Sequence, residues 1–283
     1  MITIGVPAYR EPLIKRCLKA LVSEKIRKEI IVVTPDEETA KLAGEFKGVR
    51  VIKEKKREGK PAAVNRILKE ARGDIIVLTD ADVVIMKGAV SKLIRPLKDK
   101  SVSVVCGHPV VEKQKGMLGY WGRVLYDIVH KQRLGGAAHL TTNLCAFRKG
   151  CVKKIPKNAL IDDYVIGMEC LKKGKMAYAP DAKVLVKFPA TISDFLKQRT
   201  RTFAGYMQVK EWYGKSERSF GNEIKDAGSV FSYIKSPKQF FWIALLAFFR
   251  LIAWAKAFVS YRKRKKLTEL WKPASSTKRL FTN

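Results

Sequence analysis

Along the first hundred residues, short uninterrupted apolar runs alternate with stretches whose apolar positions recur every three or four residues. The runs are ITIGV (2–6), EIIVV (29–33), VRVI (49–52) and IIVLT (75–79), each short, β-branched and strand-like. Helical periodicity fills the intervals near 11–23, 36–46 and 60–71. The rhythm is βαβα, which predicts an α/β fold with a mostly parallel sheet and right-handed crossovers. Unbroken apolar runs predict strands buried on both faces, and sheets of this kind hold ligands at the carboxyl ends of their strands. Two polar segments fall there: the loop PAYREP (7–12) after the first strand, and Asp80 and Asp82 after the fourth.

Further along, VSVVCG (102–107) predicts another strand, and a less regular region follows at 108–150. There Trp121 and Tyr126 are expected to pack rather than to stack on a sugar, Gly135-Gly136 to mark a turn, and His139 stands alone. The segment IDDYVIGMECLKKG (161–174) predicts a helix with Asp162 and Asp163 in its first turn, where acids complement the helix dipole. Residues 192–214 predict a helix crowded with cations and aromatics, suited to a phosphate-rich surface. Character changes at Ser236-Pro237, where FFWIALLAFFRLIAWAKAFV (240–259) begins and YRKRKK (261–266) closes it. Arg250 and Lys256 interrupt this run, and a charge at the centre of a span costs about 2.5–3.5 kcal/mol on insertion scales. A single crossing would also leave the basic run outside a cytosolic catalytic domain, against the positive-inside tendency. A helix lying in the membrane interface is therefore favoured over a spanning one, with a buried core helix as the third alternative.

Composition adds boundaries. The chain has 283 residues, 47% of them hydrophobic, enough for one large domain, or one domain plus an appendage, with a sizeable core. Five scattered cysteines without a Cys-x-x-Cys pair suggest neither a disulfide framework nor a zinc knuckle. Lys and Arg number 57 against 26 Asp and Glu, a formal charge of +31 that attracts polyanions or anionic lipid. The first residues lack a signal-peptide pattern, which predicts a cytosolic catalytic part. Only ten Asn and Gln among abundant Lys hints at a high-temperature source.

Five motifs occur in an order that resembles family 2 glycosyltransferases of the GT-A fold, of the membrane-attached, cellulose-synthase-like kind, over residues 1–214. VPAYRE (6–11) is similar to the family's nucleotide-facing loop, with Arg10 where Asn is usual, and REGKPAAVN (57–65) to its Arg-x-Gly-Lys segment. Asp80-Ala81-Asp82 matches Asp-x-Asp, Asp162-Asp163 matches a Glu-Asp pair before a helix, and Gln198 to Thr202 matches Gln-x-x-Arg-Trp except for Thr202.

The resemblance implies a GT-A fold, that is, a nucleotide-diphospho-sugar transferase with a Rossmann-like mixed sheet, followed by C-terminal amphipathic interface helices and a membrane helix. The division it suggests is a catalytic domain at 1–190, interface helices at 191–237 and an apolar helix with a basic tail at 238–283. It also implies an inverting transferase that uses Mg²⁺ or Mn²⁺, held by Asp82 and by Asp80 or its water, since these cations take carboxylate and phosphate oxygens. Asp163 is implied as the base that deprotonates the acceptor, with Asp162 as its understudy; both also suit helix capping. Pro7, Tyr9, Glu11, Arg57, Lys60, Asp80, Gln198, Arg199 and Arg201 are implied around the nucleotide sugar, and Asp36 is the candidate for an acidic contact to the base. Thr202, replacing the Trp that stacks under the acceptor sugar in processive relatives, favours a single transfer. The expected donor is GDP-mannose, with UDP-sugars close behind, and the expected acceptor is a polyprenyl- or dolichyl-phosphate-linked glycan at the cytosolic face of an anionic membrane. Processive polysaccharide synthesis is the alternative. A nucleic-acid-binding protein is disfavoured because charge alone supports it and it leaves four acids unexplained.

Overall fold

A computed structural model describes residues 1–216 and 218–263; the end of the basic run (264–266) and the tail beyond it lie outside the described residues. Eight strands form one mixed sheet: β1 (Ile2–Pro7), β2 (Lys28–Thr34), β3 (Val49–Lys53), β4 (Ile75–Thr79), β5 (Val84–Ile85), β6 (Val102–Val111), β7 (Leu144–Arg148) and β8 (Lys175–Val186). Their order is β3-β2-β1-β4-β7-β6-β8-β5. The first four predicted strands form its parallel half, with Ile4 opposite both Ile30 and Val77, and the fifth, at 102–107, falls within β6. β7 runs antiparallel to β4 and to β6, with Val77 opposite Ala146, and this turns the amino end of β7 toward the carboxyl ends of the parallel strands. The chain winds one way from β1 to β2 and returns to β4 on the other side, so the order reverses between β1 and β4, where such sheets bind ligands.

Alternation along the strands splits the core in two. Ile4, Val32 and Val77 face one layer, shared with α1 (Ile14–Ser23), α2 (Glu37–Gly44), α4 (Ala89–Ile94) and α5 (Gly116–Leu134). Ile31, Val33, Ile76 and Leu78 face the other, shared with α3 (Lys60–Glu70), α6 (Asp162–Leu171) and α7 (Ile192–Tyr213). The helix α5 accounts for much of the segment that looked irregular. Its glycines at 116, 119 and 122 weaken the helical signal, yet Gly122 lies where a Cβ would strike Phe188, so close packing selects it.

The helix at 192–214 is not the surface helix its cations suggest. Phe195, Phe203, Ala204 and Val209 of α7 are buried, and the helix is covered by α9 (Pro237–Arg262), the last element among the described residues, after the short α8 (Phe220–Asp226) and a 3-10 segment (Ala227–Tyr233). α9 enters both cores, Ile243 and Leu246 in the first and Ala253, Trp254 and Ala257 in the second. Arg250, central in the apolar run, turns inward to pair with Glu223 at 2.6 Å. Outward, Phe240, Phe241, Phe248, Leu251, Phe258 and Val259 remain exposed. Among the described residues α9 is the one helix long and apolar enough to cross a membrane, and 28% of its apolar window is buried in the protein. It combines features of the interfacial and the core-helix alternatives.

Candidate active site

A cleft of about 300 Å³ opens at the reversal point, lined by the loop after β1, the end of β4, the start of α3, the start of α6 and α7. Five of its walls match the five motifs. Pro7, Tyr9 and Glu11 come from the first loop; Glu11 is buried and its backbone N–H donates to Thr39 Oγ1 at 3.0 Å. The Arg57 guanidinium lies over the Tyr9 ring, 4.2 Å from its centroid, forming a flat cationic wall.

Gly59, at φ +93°, turns the chain into α3 and delivers Lys60 to the cleft floor. Lys60 Nζ lies 2.6 Å from Asp80 Oδ1 and 3.3 Å from Asp162 Oδ2, and donates to Thr142 Oγ1 at 2.8 Å. It thereby joins the end of β4 to the start of α6. Burial opposes its charge, but Asp162 and Asp80 outweigh burial and raise its pKa. Asp80 Oδ2 also accepts from Asn143 Nδ2 at 2.8 Å. Asp82, by contrast, is pushed up to about 7 by burial and by the like charges of Asp80 and Glu11. Asp80 and Asp162 thus share one ammonium while Asp82 and Glu11 add further negative charge beside them, and added positive charge would relieve the crowding. Among the described residues no three His, Cys, Asp or Glu side chains converge as a closed cage. An open site with one or two carboxylates, completed by substrate phosphates, is the form hard divalent cations favour, and these oxygens fit it.

A second chamber of about 530 Å³ adjoins the first and shares Lys60, Asp80, Asp162, Gln198 and Arg201 with it. Asp163 and Arg199 line this chamber, not the first. Asp163 is raised to about 7 by burial and by Asp162 beside it, and its Oδ1 accepts from Tyr164 N at 2.9 Å. Neither acid occupies the N-cap, which is Ile161 without a side-chain hydrogen bond; both lie in the first turn. The rest of the chamber is amphipathic. Arg133, Arg199 and Arg218 line it together with Leu246, Leu251 and Trp254 from α9. Arg199 Nη2 donates to Gln198 at 3.2 Å, while its Nε is buried without a hydrogen bond. Burial and the nearby Arg250 both lower its pKa, as expected for a cation short of counter-charge.

Asp36 takes a different part from the one expected. It caps α2, accepting from Thr39 N at 2.9 Å, and holds the first loop through Arg10 N at 2.8 Å. Burial tends to raise its pKa, but these hydrogen bonds outweigh it and lower it. Pro35 and Glu54 line the cleft in its place. Tyr126, expected to pack, lines both chambers, whereas Trp121 is buried as expected. His139 is buried beside the second chamber, 3.5 Å from the Tyr164 hydroxyl. Thr142 and Asn143 lie in the segment 137–150, which resembles the family's acceptor-side loop and strand, but neither they nor Lys187 stood among the candidate residues. The polar trio Thr141-Thr142-Asn143 precedes an apolar strand, and only antiparallel pairing brings that end of the strand to the ligand edge.

The fold and the site define a nucleotide-sugar transferase architecture, and the comparisons agree. The model for "Glycosyl transferase family 2" matches residues 3–155, more than half the chain, and the chain belongs to that family. It is 26% identical over 241 residues to a dolichol-phosphate mannosyltransferase of Pyrococcus furiosus, covering 77% of this chain and 66% of that protein. It is 24% identical over 226 residues to a poly-beta-1,6-N-acetyl-D-glucosamine synthase of Staphylococcus aureus, covering 74% of this chain and 55% of that protein. The chain thus spans less than two thirds of the length of these relatives. Among solved structures, the mannosyltransferase PcManGT of Pyrobaculum calidifontis, in complex with GDP-Man and Mn²⁺, shares the fold with a TM-score of 0.68 at 17% identity, over 93% of this chain and 87% of that one. S. aureus TarS 1-349 shares it with a TM-score of 0.53 at 12% identity, over 93% of this chain and 92% of that one.

Proposed function

We propose that the chain transfers a single sugar, with inversion, from a nucleotide sugar to a lipid-linked phosphate acceptor at the cytosolic membrane face. The observation that carries this is the pair of adjoining chambers. One is polar and lies at the carboxyl edge of the sheet, and the other joins arginines to an apolar wall on α9. Tyr9 and Arg57 hold the nucleotide, and Gln198 and Arg201 meet the diphosphate. Arg199 lines the acceptor chamber, which shifts its role from the donor to the acceptor phosphate. Asp82 and Asp80 would hold Mg²⁺ or Mn²⁺, which when bound would offset charge on the departing diphosphate. Lys60 pairs with Asp80 and Asp162, so Asp163, the acid of the second chamber with a raised affinity for a proton, receives the acceptor's proton. Residues 1–190 supply the donor site, the acids and Arg133, 191–237 supply Arg199, Arg201 and Arg218, and 238–263 the apolar wall and the aromatic face toward lipid.

GDP-mannose is the favoured donor, supported by the similarity to two mannosyltransferases, with UDP-sugars next. The test is a binding and hydrolysis panel: protein in detergent with each common GDP- and UDP-sugar, with Mg²⁺, Mn²⁺ or chelator. One donor bound preferentially, with turnover lost in chelator, supports the reading. Turnover unaffected by chelator would overturn the metal assignment, and preference for a UDP-sugar would replace the donor.

A further inference from the structure

Between β7 and α6, residues 149–161 form no helix or strand, yet Val152, Ile155, Ala159, Leu160 and Ile161 are buried. Backbone N–H and C=O groups in such a segment need partners, and two side-chain amides supply them. Asn65 of α3 donates from Nδ2 to Ile155 O and accepts from Ile155 N, both at 2.7 Å. Gln208 of α7, only 2% exposed, accepts from Leu160 N at 2.9 Å and donates from Nε2 to Asn158 O at 3.0 Å. One turn earlier on α7, Gly205 leaves room for the Ile161 side chain. Ile161 is the N-cap of α6 and makes no side-chain hydrogen bond, so the start of that helix is held from outside. The two helices that hold it also carry Lys60 and Arg201.

Arg201, Gly205 and Gln208 follow the helical spacing that puts them on one face of α7. Arg201 lines both chambers and feels the charges of Asp162 and Asp163, while Lys60 lies 3.3 Å from Asp162. A shift of residues 158–161 would therefore move both acids against both cations. Gln208 itself lines neither chamber, so it can act on the reaction only through the backbone that it holds. We propose that Gln208 is a positioning residue, which by gripping Asn158 and Leu160 fixes Asp163 against Asp162, Lys60 and Arg201 in the geometry that proton transfer from the acceptor requires. This rests on the reading of Asp163 as the base. A displacement of about 1 Å, caused by a change remote from the chemistry, can cost on the order of 10²-fold in rate.

The test is a double-mutant cycle in the full chain, combining Gln208→Met with Asp163→Asn. Met keeps the length of Gln and removes both hydrogen bonds. Melting is read without substrate at about pH 8, where Asp163→Asn removes a buried charge and should raise the melting temperature in the wild-type background. In the Gln208→Met background, with the acid released from its fixed place, that gain should fall to about half or less. Turnover by Gln208→Met should drop about 10–100-fold, with nucleotide affinity by calorimetry unchanged and the pH midpoint of turnover moved below the wild-type value. Should Gln208→Met not fold, Gln208→Asn, which keeps the amide but is one methylene short, is read in its place. An equal melting effect of Asp163→Asn in both backgrounds, or turnover and pH midpoint equal to wild type, would overturn the proposal and leave Gln208 a purely structural residue. Wild-type protein without transfer activity would overturn the proposed function instead, and the melting cycle would still decide the role of Gln208.

Discussion

Asp163 and Asp162 are adjacent carboxyls with different surroundings. Lys60 sits 3.3 Å from Asp162, while Asp163 is lifted to about 7 by burial and by Asp162 itself. A base must be deprotonated to act, so activity at saturating metal should climb with pH and level off above about 7. Asp163→Asn should lower turnover by about 10²–10⁴-fold while nucleotide affinity, measured by calorimetry, stays close to wild type. The same shift has a consequence for stability. The folded protein holds this proton more tightly than the unfolded chain, so the contribution is present at low pH and is lost as pH rises through about 7. Asp163→Asn should therefore melt higher than wild type above neutrality, with the gap closing toward pH 4, about where an unperturbed Asp titrates. Arg10 adopts φ +47°, a left-handed conformation that Asn tolerates better, which explains why Asn is usual at this place in the family loop. Arg10→Asn should stabilise the fold by about 1 kcal/mol, read by denaturant unfolding. The acidic residues were legible because apolar strands end abruptly at carboxylates. The bridge made by Lys60 and the support from Asn143 were not, since each partner is remote in the chain.

At the scale of elements, α9 has two faces. Its inner face supplies Leu246 and Trp254 to the cores, and Trp254 stacks on Phe203 with centroids 4.2 Å apart. Its outer face presents Phe240, Phe241 and Phe248 at 58, 61 and 55% exposure, large apolar groups that solvent does not favour. Replacing these three with Ser should weaken binding to anionic vesicles by more than about tenfold, measured by co-sedimentation, while melting changes little. Unchanged binding would assign attachment to the basic surface alone. The strands and first helices were legible from periodicity. The role of α7 was not: its cations suggested a surface, but Gly205, whose Cβ would meet the Ile161 side chain at 2.7 Å, lets the helix pack tightly beside the acids.

For the whole molecule, the charge of +31 and the aromatic face are the two features on which the proposed anionic-membrane partner rests. Deleting α9 would uncover both cores, so substitutions on its outer face, not truncation, separate membrane binding from folding. The GT-A fold was legible because five short motifs keep their order along the chain. The second chamber was not, because α5, α6, α7 and α9 form it together and no local pattern records their convergence. Its union of arginines and apolar side chains is what supports the proposed lipid phosphate acceptor. The most direct test is mass spectrometry of the product formed from GDP-mannose, Mn²⁺ and a polyprenyl phosphate by the purified chain. The account predicts the lipid phosphate carrying one added hexose, absent in Asp163→Asn. A ladder of added sugars, or transfer that ignores the lipid, would contradict it.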